Sequence, residues 1–258
     1  LPFKYLKQLG HGRSGVVDKV EDKDPDEGSV YARKNIYVRG LQKRKDEIRK
    51  AYQNEIKIVG KVKGHHHFVR LIATYTTTNP EAVGLILQPA ADGGDLEHFL
   101  NRVRKPIENS RSGTQLLGDD SSILKQAFGC LAGGLAYMHQ LGIRHKDIKP
   151  RNILVHEGCV TYADFGFSLD FSELQSSTTN NQPVVSKRYT APEVLDREPR
   201  NSKSDVYALG CVYVDLLSTL TGAADIDDES EFPNDIERLQ SQLEQMPVDP
   251  SMEFLADV

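Results

Sequence analysis

Two short polar runs hold the groups most able to do chemistry: His145-Lys146-Asp147-Ile148-Lys149-Pro150-Arg151-Asn152 and Asp164-Phe165-Gly166. Moving a phosphoryl group onto a hydroxyl requires a carboxylate beside the attacking oxygen, and oxygen ligands for Mg²⁺ around the triphosphate. Asp147, Asn152 and Asp164 are three such groups, on two loops that neighbouring strands could hold face to face. Lys149, two residues after Asp147, adds a cation able to neutralise charge on a transferring phosphoryl group. Either run alone would be ordinary polar punctuation.

Upstream stands Gly10-His11-Gly12-Arg13-Ser14-Gly15-Val16-Val17. Glycines let backbone amides approach phosphate oxygens with no Cβ in the way. A hairpin turn has the same pattern, and a dinucleotide fold would set it between a strand and a helix. Here strand-like sequence lies on both sides. In Val30-Tyr31-Ala32-Arg33-Lys34, alternation puts Ala32 and Lys34 on one face and Arg33 on the other. Ala32 is small enough to admit a purine, and Lys34 is long enough to reach phosphates. A strand lysine is normally only solubilising; the glycine run before it reverses that reading. His65-His66-His67 invites a metal reading, but consecutive side chains diverge and no carboxylate or cysteine stands at ligand spacing. They are expected to be structural.

In this order, with Ala191-Pro192-Glu193 downstream, the motifs resemble the signature set of the eukaryotic-type protein kinase superfamily, from residue 3 to about residue 220. The resemblance implies an α+β, bilobal fold with a small antiparallel-sheet N-lobe and a mainly helical C-lobe. It implies ATP and Mg²⁺, with Asn152 and Asp164 as metal ligands and Asp147 and Lys149 at the reacting groups. Lys34 would pair with Glu55 on the following helix. Ser186 would bridge Asp147 and Lys149, and Asp205 would fasten the catalytic-loop backbone. The nucleotide would lie against Leu9, Gly10, Gly12, Gly15, Val17, Ala32, Lys34, Asp95 and Leu154, with Leu87 or Gln88 as gatekeeper.

Asp-x-Lys-x-x-Asn and Ser186 resemble the serine/threonine-specific branch, which implies protein substrates with Ser or Thr acceptors. Four departures stand out. Lys146 replaces the usual Arg, a point charge in place of a planar fork. The Leu87–Ala91 hinge has no acidic residue, and Pro89 removes a backbone donor. No late Arg is evident to pair with Glu193, and the domain is C-terminally short of the family's last helices. Lys146 and that short end are the grounds for a pseudokinase alternative, an ATP-binding scaffold without turnover. A metabolite kinase of similar fold is a third reading. The presence of Lys34, Asp147 and Asp164 argues against the pseudokinase, and the Ala-Pro-Glu segment with Ser186 argues for a protein substrate.

The elements that must position these groups follow from periodicity. Strands are expected at residues 3–9, 16–20, 29–38, 68–75 and 82–87, with a charged helix over 41–62 whose Ile48, Tyr52, Glu55, Ile56 and Val59 share a face. These make an N-lobe of residues 1–88, and residues 89–258 form the C-lobe. Helices are expected at 95–103, 121–141 (capped by Ser121 or Ser122), 204–220 and 234–245, with short strands at 153–155 and 160–162. Residues 104–120 read as a polar loop, and 170–185 as a flexible segment.

A net charge of -5 gives no reason to expect a nucleic-acid partner. The longest apolar run, Val206 to Leu220, is too short for a membrane span and carries Asp215. Cys130, Cys159 and Cys211 form no C-x-x-C pair and read as small core residues in a reducing compartment, so an intracellular location, cytoplasmic and/or nuclear, is expected. There is no initiator methionine, and Leu1 abuts strand-like sequence, which suggests a piece of a longer chain.

Overall fold

The computed structural model describes residues 2–12, 15–23, 28–108, 118–172, 187–197 and 201–222, with Phe232, Glu237, Arg238 and Ser241. Its first part is an antiparallel sheet of β1 (Phe3–Gly12), β2 (Gly15–Asp22), β3 (Val30–Tyr37), β4 (Arg70–Thr78) and β5 (Glu81–Gln88), in spatial order β1-β2-β3-β5-β4. Because β5 lies between β3 and β4 and is covered on both faces, Ala82 to Leu87 is apolar without alternation and buried throughout. Val83, Leu85 and Leu87 join a core that includes Tyr52, Ile58 and Val59 of α1 (Gln42–Lys61). Ile86 faces the other way, onto Val20 and Tyr31. Gly84 is required here: a Cβ would stand 2.1 Å from the ring of Tyr75, its cross-strand neighbour.

The second part is mainly helical. It comprises α2 (Leu96–Glu108), α3 (Gly118–Gln140), α4 (Pro192–Leu195) and α5 (Lys203–Thr221), with the short strands β6 (Ile143–Arg144), β7 (Ile153–His156), β8 (Cys159–Tyr162) and β9 (Leu169–Asp170). β6 pairs with β9, and β7 with β8. Along α3 the buried residues Leu124, Ala127, Phe128, Leu131, Leu135 and Met138 recur at helical spacing and form one stripe. Each large side chain there contributes about 1.5–3 kcal/mol by leaving water. They pack with Leu209, Val212 and Leu216 of α5, which ends on Gly222 in the left-handed conformation that glycine adopts freely.

Several expectations change. Residues 104–108 extend α2 and 118–120 begin α3, so much of the expected loop is helix, and residues 109–117 lie outside the described residues. Ser121 and Ser122 are inside α3 and do not cap it. Asp170 belongs to β9; the rest of the segment expected to be flexible is described only through Ser172. Cys211 is buried and Cys130 half-buried, but Cys159 is exposed, so the three do not share one role. The expected 234–245 helix falls mostly outside the described residues. Among the described residues no helix is long and apolar enough to cross a membrane.

Candidate active site

Alternation along β3 turns Ala32 and Lys34 into the core face, both buried. Lys34 Nζ donates to Glu55 Oε1 (2.7 Å) and Oε2 (2.9 Å) on α1, and to Asp164 Oδ1 (2.8 Å). Burial alone would lower the Lys34 pKa, but the two carboxylates outweigh it and hold the ammonium above its ordinary value. Burial pushes the Glu55 carboxyl up against the pull of Lys34, so Glu55 depends on that lysine for its charge. Phe165, next to Asp164, is fully buried against Phe68 and His145 and fixes the turn that aims Asp164. Asp164 itself has φ 58°, in the left-handed region.

Opposite stands the loop between β6 and β7. Asp147 is buried; Lys149 Nζ donates to its Oδ2 (2.8 Å), and Asn152 Nδ2 donates to its backbone oxygen (2.7 Å) and to Oδ2 (2.8 Å). Both Asn152 bonds use the amide nitrogen, which leaves the carboxamide oxygen as a ligand atom. With the Asp164 carboxylate this is an all-oxygen donor set, which suits a hard divalent cation. Asn152 is positioned by the 3-10 turn Pro150–Asn152, with Pro at its first position.

The loop is fastened from below. Asp205 in the first turn of α5 accepts the backbone N–H of His145 (2.9 Å) and of Lys146 (2.8 Å), and His139 Nε2 lies 3.1 Å from it. Lys146 has φ 69°, a conformation that costs a non-glycine residue about 1–2 kcal/mol. Charge-assisted bonds to its own N–H and that of His145 offset the strain. The sequence-based role of Asp205 and the geometry therefore coincide.

A cleft of about 890 Å³ joins the two groups. Leu9, Gly10, Gly15, Val17, Ala32, Lys34, Glu55, Leu87, Asp95, Asp147, Lys149, Asn152, Leu154 and Asp164 all line it. Asp95 also caps α2, where its Oδ1 accepts the His98 N–H at 2.8 Å. Gly12 pairs with Gly15 at the end of the β1–β2 ladder. Gln88 is not on the cleft; Arg70 donates to its carboxamide oxygen, whereas Leu87 is opposite Ala32 and shares its face. Ser186 lies outside the described residues.

Sequence reasoning missed the residues that tie the turn Lys187–Tyr189, also on the cleft, to α5. Buried Asp215 accepts from Tyr189 Oη (2.7 Å) and Arg188 Nη2 (3.2 Å), and Arg104 Nη2 from α2 donates to its backbone oxygen (3.2 Å). Phe232 covers the Arg188 guanidinium, 4.2 Å from the ring centre. An acidic residue inside an apolar helix was the one available signal. His65 stacks on His66 and on Tyr137, and His67 meets His66 at a tilt, which agrees with a structural role. Glu193 accepts from Ser204 Oγ (3.1 Å) and is in no ion pair among the described residues.

The chain resembles proteins of known class. Over 217 residues it is 28% identical to the serine/threonine-protein kinase nekl-2 of Caenorhabditis elegans, covering 83% of this chain and 57% of that protein. Cyclin-dependent kinase 8 of Drosophila melanogaster is 29% identical over 219 residues (82% and 45%), and the mouse serine/threonine-protein kinase Sgk2 28% over 236 residues (90% and 58%). The chain thus spans about half the length of the curated relatives it matches. The family model described as the protein kinase domain aligns with residues 3–257, from the first residue of β1 onward. By that match the chain belongs to the protein kinase domain family.

Proposed function

We propose that this protein is a serine/threonine protein kinase that transfers the γ-phosphoryl group of ATP, with Mg²⁺, to Ser and Thr hydroxyls of protein substrates. Family membership by itself implies ATP and a divalent metal ion in general; the oxygen-only donor set of Asn152 and Asp164 suits a hard ion such as Mg²⁺. The observation that carries the reading is the Lys34–Glu55–Asp164 cluster facing Asp147, Lys149 and Asn152 across one cleft. We take residues 1–88 as the nucleotide-binding lobe and 89–258 as the lobe bearing the catalytic loop.

In this scheme Ala32, Val17, Leu87 and Leu154 hold the adenine, and the backbone around Gly10–Gly15 covers the phosphates. Lys34 supplies positive charge to the phosphates, kept cationic by its two carboxylates. Asn152 and Asp164 would hold the metal ion, which would supply Lewis-acid charge there. Asp147 orients the acceptor hydroxyl and takes its proton. Lys149, whose Nζ is 2.8 Å from Asp147, would neutralise charge on the phosphoryl oxygens. The same reading places the protein inside the cell, in the cytoplasm and/or the nucleus.

Lys149 and the expected Ser186 support Ser/Thr acceptors. Phosphoamino-acid analysis of a mixed Ser/Thr/Tyr peptide library incubated with the protein and MgATP tests this. Phosphoserine and phosphothreonine are expected, and predominant phosphotyrosine would overturn the assignment.

A further inference from the structure

The two-residue strand β9 follows the Asp164 turn, and its pairing with β6 is a ladder of only two residues. So short a ladder is marginal by itself, and the segment after Asp164 needs anchors beyond the buried Phe165 turn. Three residues of α1 supply what the ladder lacks. Asn54 Nδ2 donates to the Ser168 backbone oxygen at 2.8 Å. Lys57 and Lys61 bring their ammonium groups to 2.8 and 2.7 Å from Asp170 Oδ2. Asn54, Lys57 and Lys61 stand at i, i+3 and i+7, on one stripe of the helix. Glu55, the partner of Lys34, is on the adjoining buried stripe.

The Asp170 contacts are unlike an ordinary surface pair. Its side chain is only 7% exposed, whereas those of Lys57 and Lys61 are 54% and 35% exposed. The lysines would be well solvated without Asp170, whereas the shielded Asp170 side chain would lose the two charges that face it. Its other oxygen accepts the Ser172 hydroxyl at 2.6 Å and backbone N–H at 3.2 Å, closing a turn beyond β9. Burial opposes the charge, but Lys57, Lys61 and Ser172 outweigh it and hold the carboxyl well below the usual range. Next to it, fully buried Arg144 of β6 places its guanidinium 5.3 Å from the centre of the Phe171 ring.

We propose that Asp170 is a positioning residue for phosphoryl transfer: with Lys57 and Lys61 it clamps α1 to the segment after Asp164, keeping Glu55, Lys34 and Asp164 in register. The clamp consists of fixed charges of the chain itself, so alignment does not wait for a phosphate on the segment that follows. The catalytic consequence rests on the kinase reading above; the clamp does not.

The test measures kcat, KM for ATP and hydrogen exchange of α1 amides 54–61 in the wild type, Asp170→Asn, Asp170→Glu and the charge-exchanged triple variant Asp170→Lys with Lys57→Glu and Lys61→Glu. Asp170→Asn is expected to lower kcat at least about tenfold with KM for ATP changed less than about threefold, because fewer molecules are aligned at saturating nucleotide. Its α1 amides should exchange at least about tenfold faster. Asp170→Glu, which keeps the charge, and the charge-exchanged variant should return both readouts to within about threefold of wild type. Asp170→Asn with wild-type kcat and exchange, or Asp170→Glu behaving like Asp170→Asn, would overturn the clamp. A wild type that transfers no phosphoryl group would defeat the kinase reading alone, and α1 exchange would then decide the clamp.

Discussion

Lys34 and Glu55 form a buried pair in which each residue keeps the other charged, with Asp164 as a third member. Removing one partner of such a pair leaves an uncompensated charge and costs about 3–5 kcal/mol. Lys34→Met is therefore expected to abolish phosphotransfer and also to destabilise the fold, with Glu55 taking up a proton. Adding Glu55→Gln replaces the group that must take up that proton, so the double variant should recover most of the stability and none of the activity. Urea unfolding beside a transfer assay checks both parts. Wild-type turnover in a folded Lys34→Met protein would remove Lys34 from the mechanism. At this scale the residue types of the site were legible, because phosphoryl chemistry restricts them, and helical spacing put Glu55 on the face shared with Tyr52 and Val59. Gln88 was not legible, since near Pro89 alternation alone does not say which of two adjacent residues faces inward.

Among the elements, the start of β2 is closely set by backbone shape. Gly15 has φ 141°, and a Cβ there would stand 2.1 Å from the Asn35 carbonyl oxygen of β3. Gly15→Ala must push the hairpin away from β3 or unpair the strands, at a cost of about 1–3 kcal/mol. Weaker ATP binding and lower stability are expected, measured by nucleotide titration and denaturant unfolding; unchanged values for both would show that the hairpin does not set the cleft roof. The five strands and α1 were legible within a few residues, since period 2 and period 3.6 are strong signals in half-buried elements. The end of α2 and the start of α3 were not, because the polar composition of 104–120 carries no apolar period from which helix can be read. Asp170 was hidden for a similar reason: in a polar run its partners Lys57 and Lys61, on a distant helix, leave no local trace.

Over the whole molecule, the two halves are joined by side chains far apart in sequence. Lys34 and Asp164, 130 residues apart, join them, and within the second half Arg104 reaches Asp215 across 111. Pairs like the second carry no spacing signature, which is why the Asp215 cluster escaped sequence reasoning while the family-like order of motifs did not. What unites the halves in the proposed mechanism is one cleft that sets the Lys34–Glu55–Asp164 cluster opposite Asp147. Transfer of radiolabelled phosphate from MgATP to mixed Ser/Thr protein substrates, comparing wild type with Asp147→Asn, puts that convergence to the test. Measurable wild-type transfer is expected, with a loss of about 10²-fold or more in Asp147→Asn, as when a positioned general base is removed, and with nucleotide affinity unchanged. A wild type that binds MgATP yet transfers nothing, or an Asp147→Asn protein as fast as wild type, would refute it.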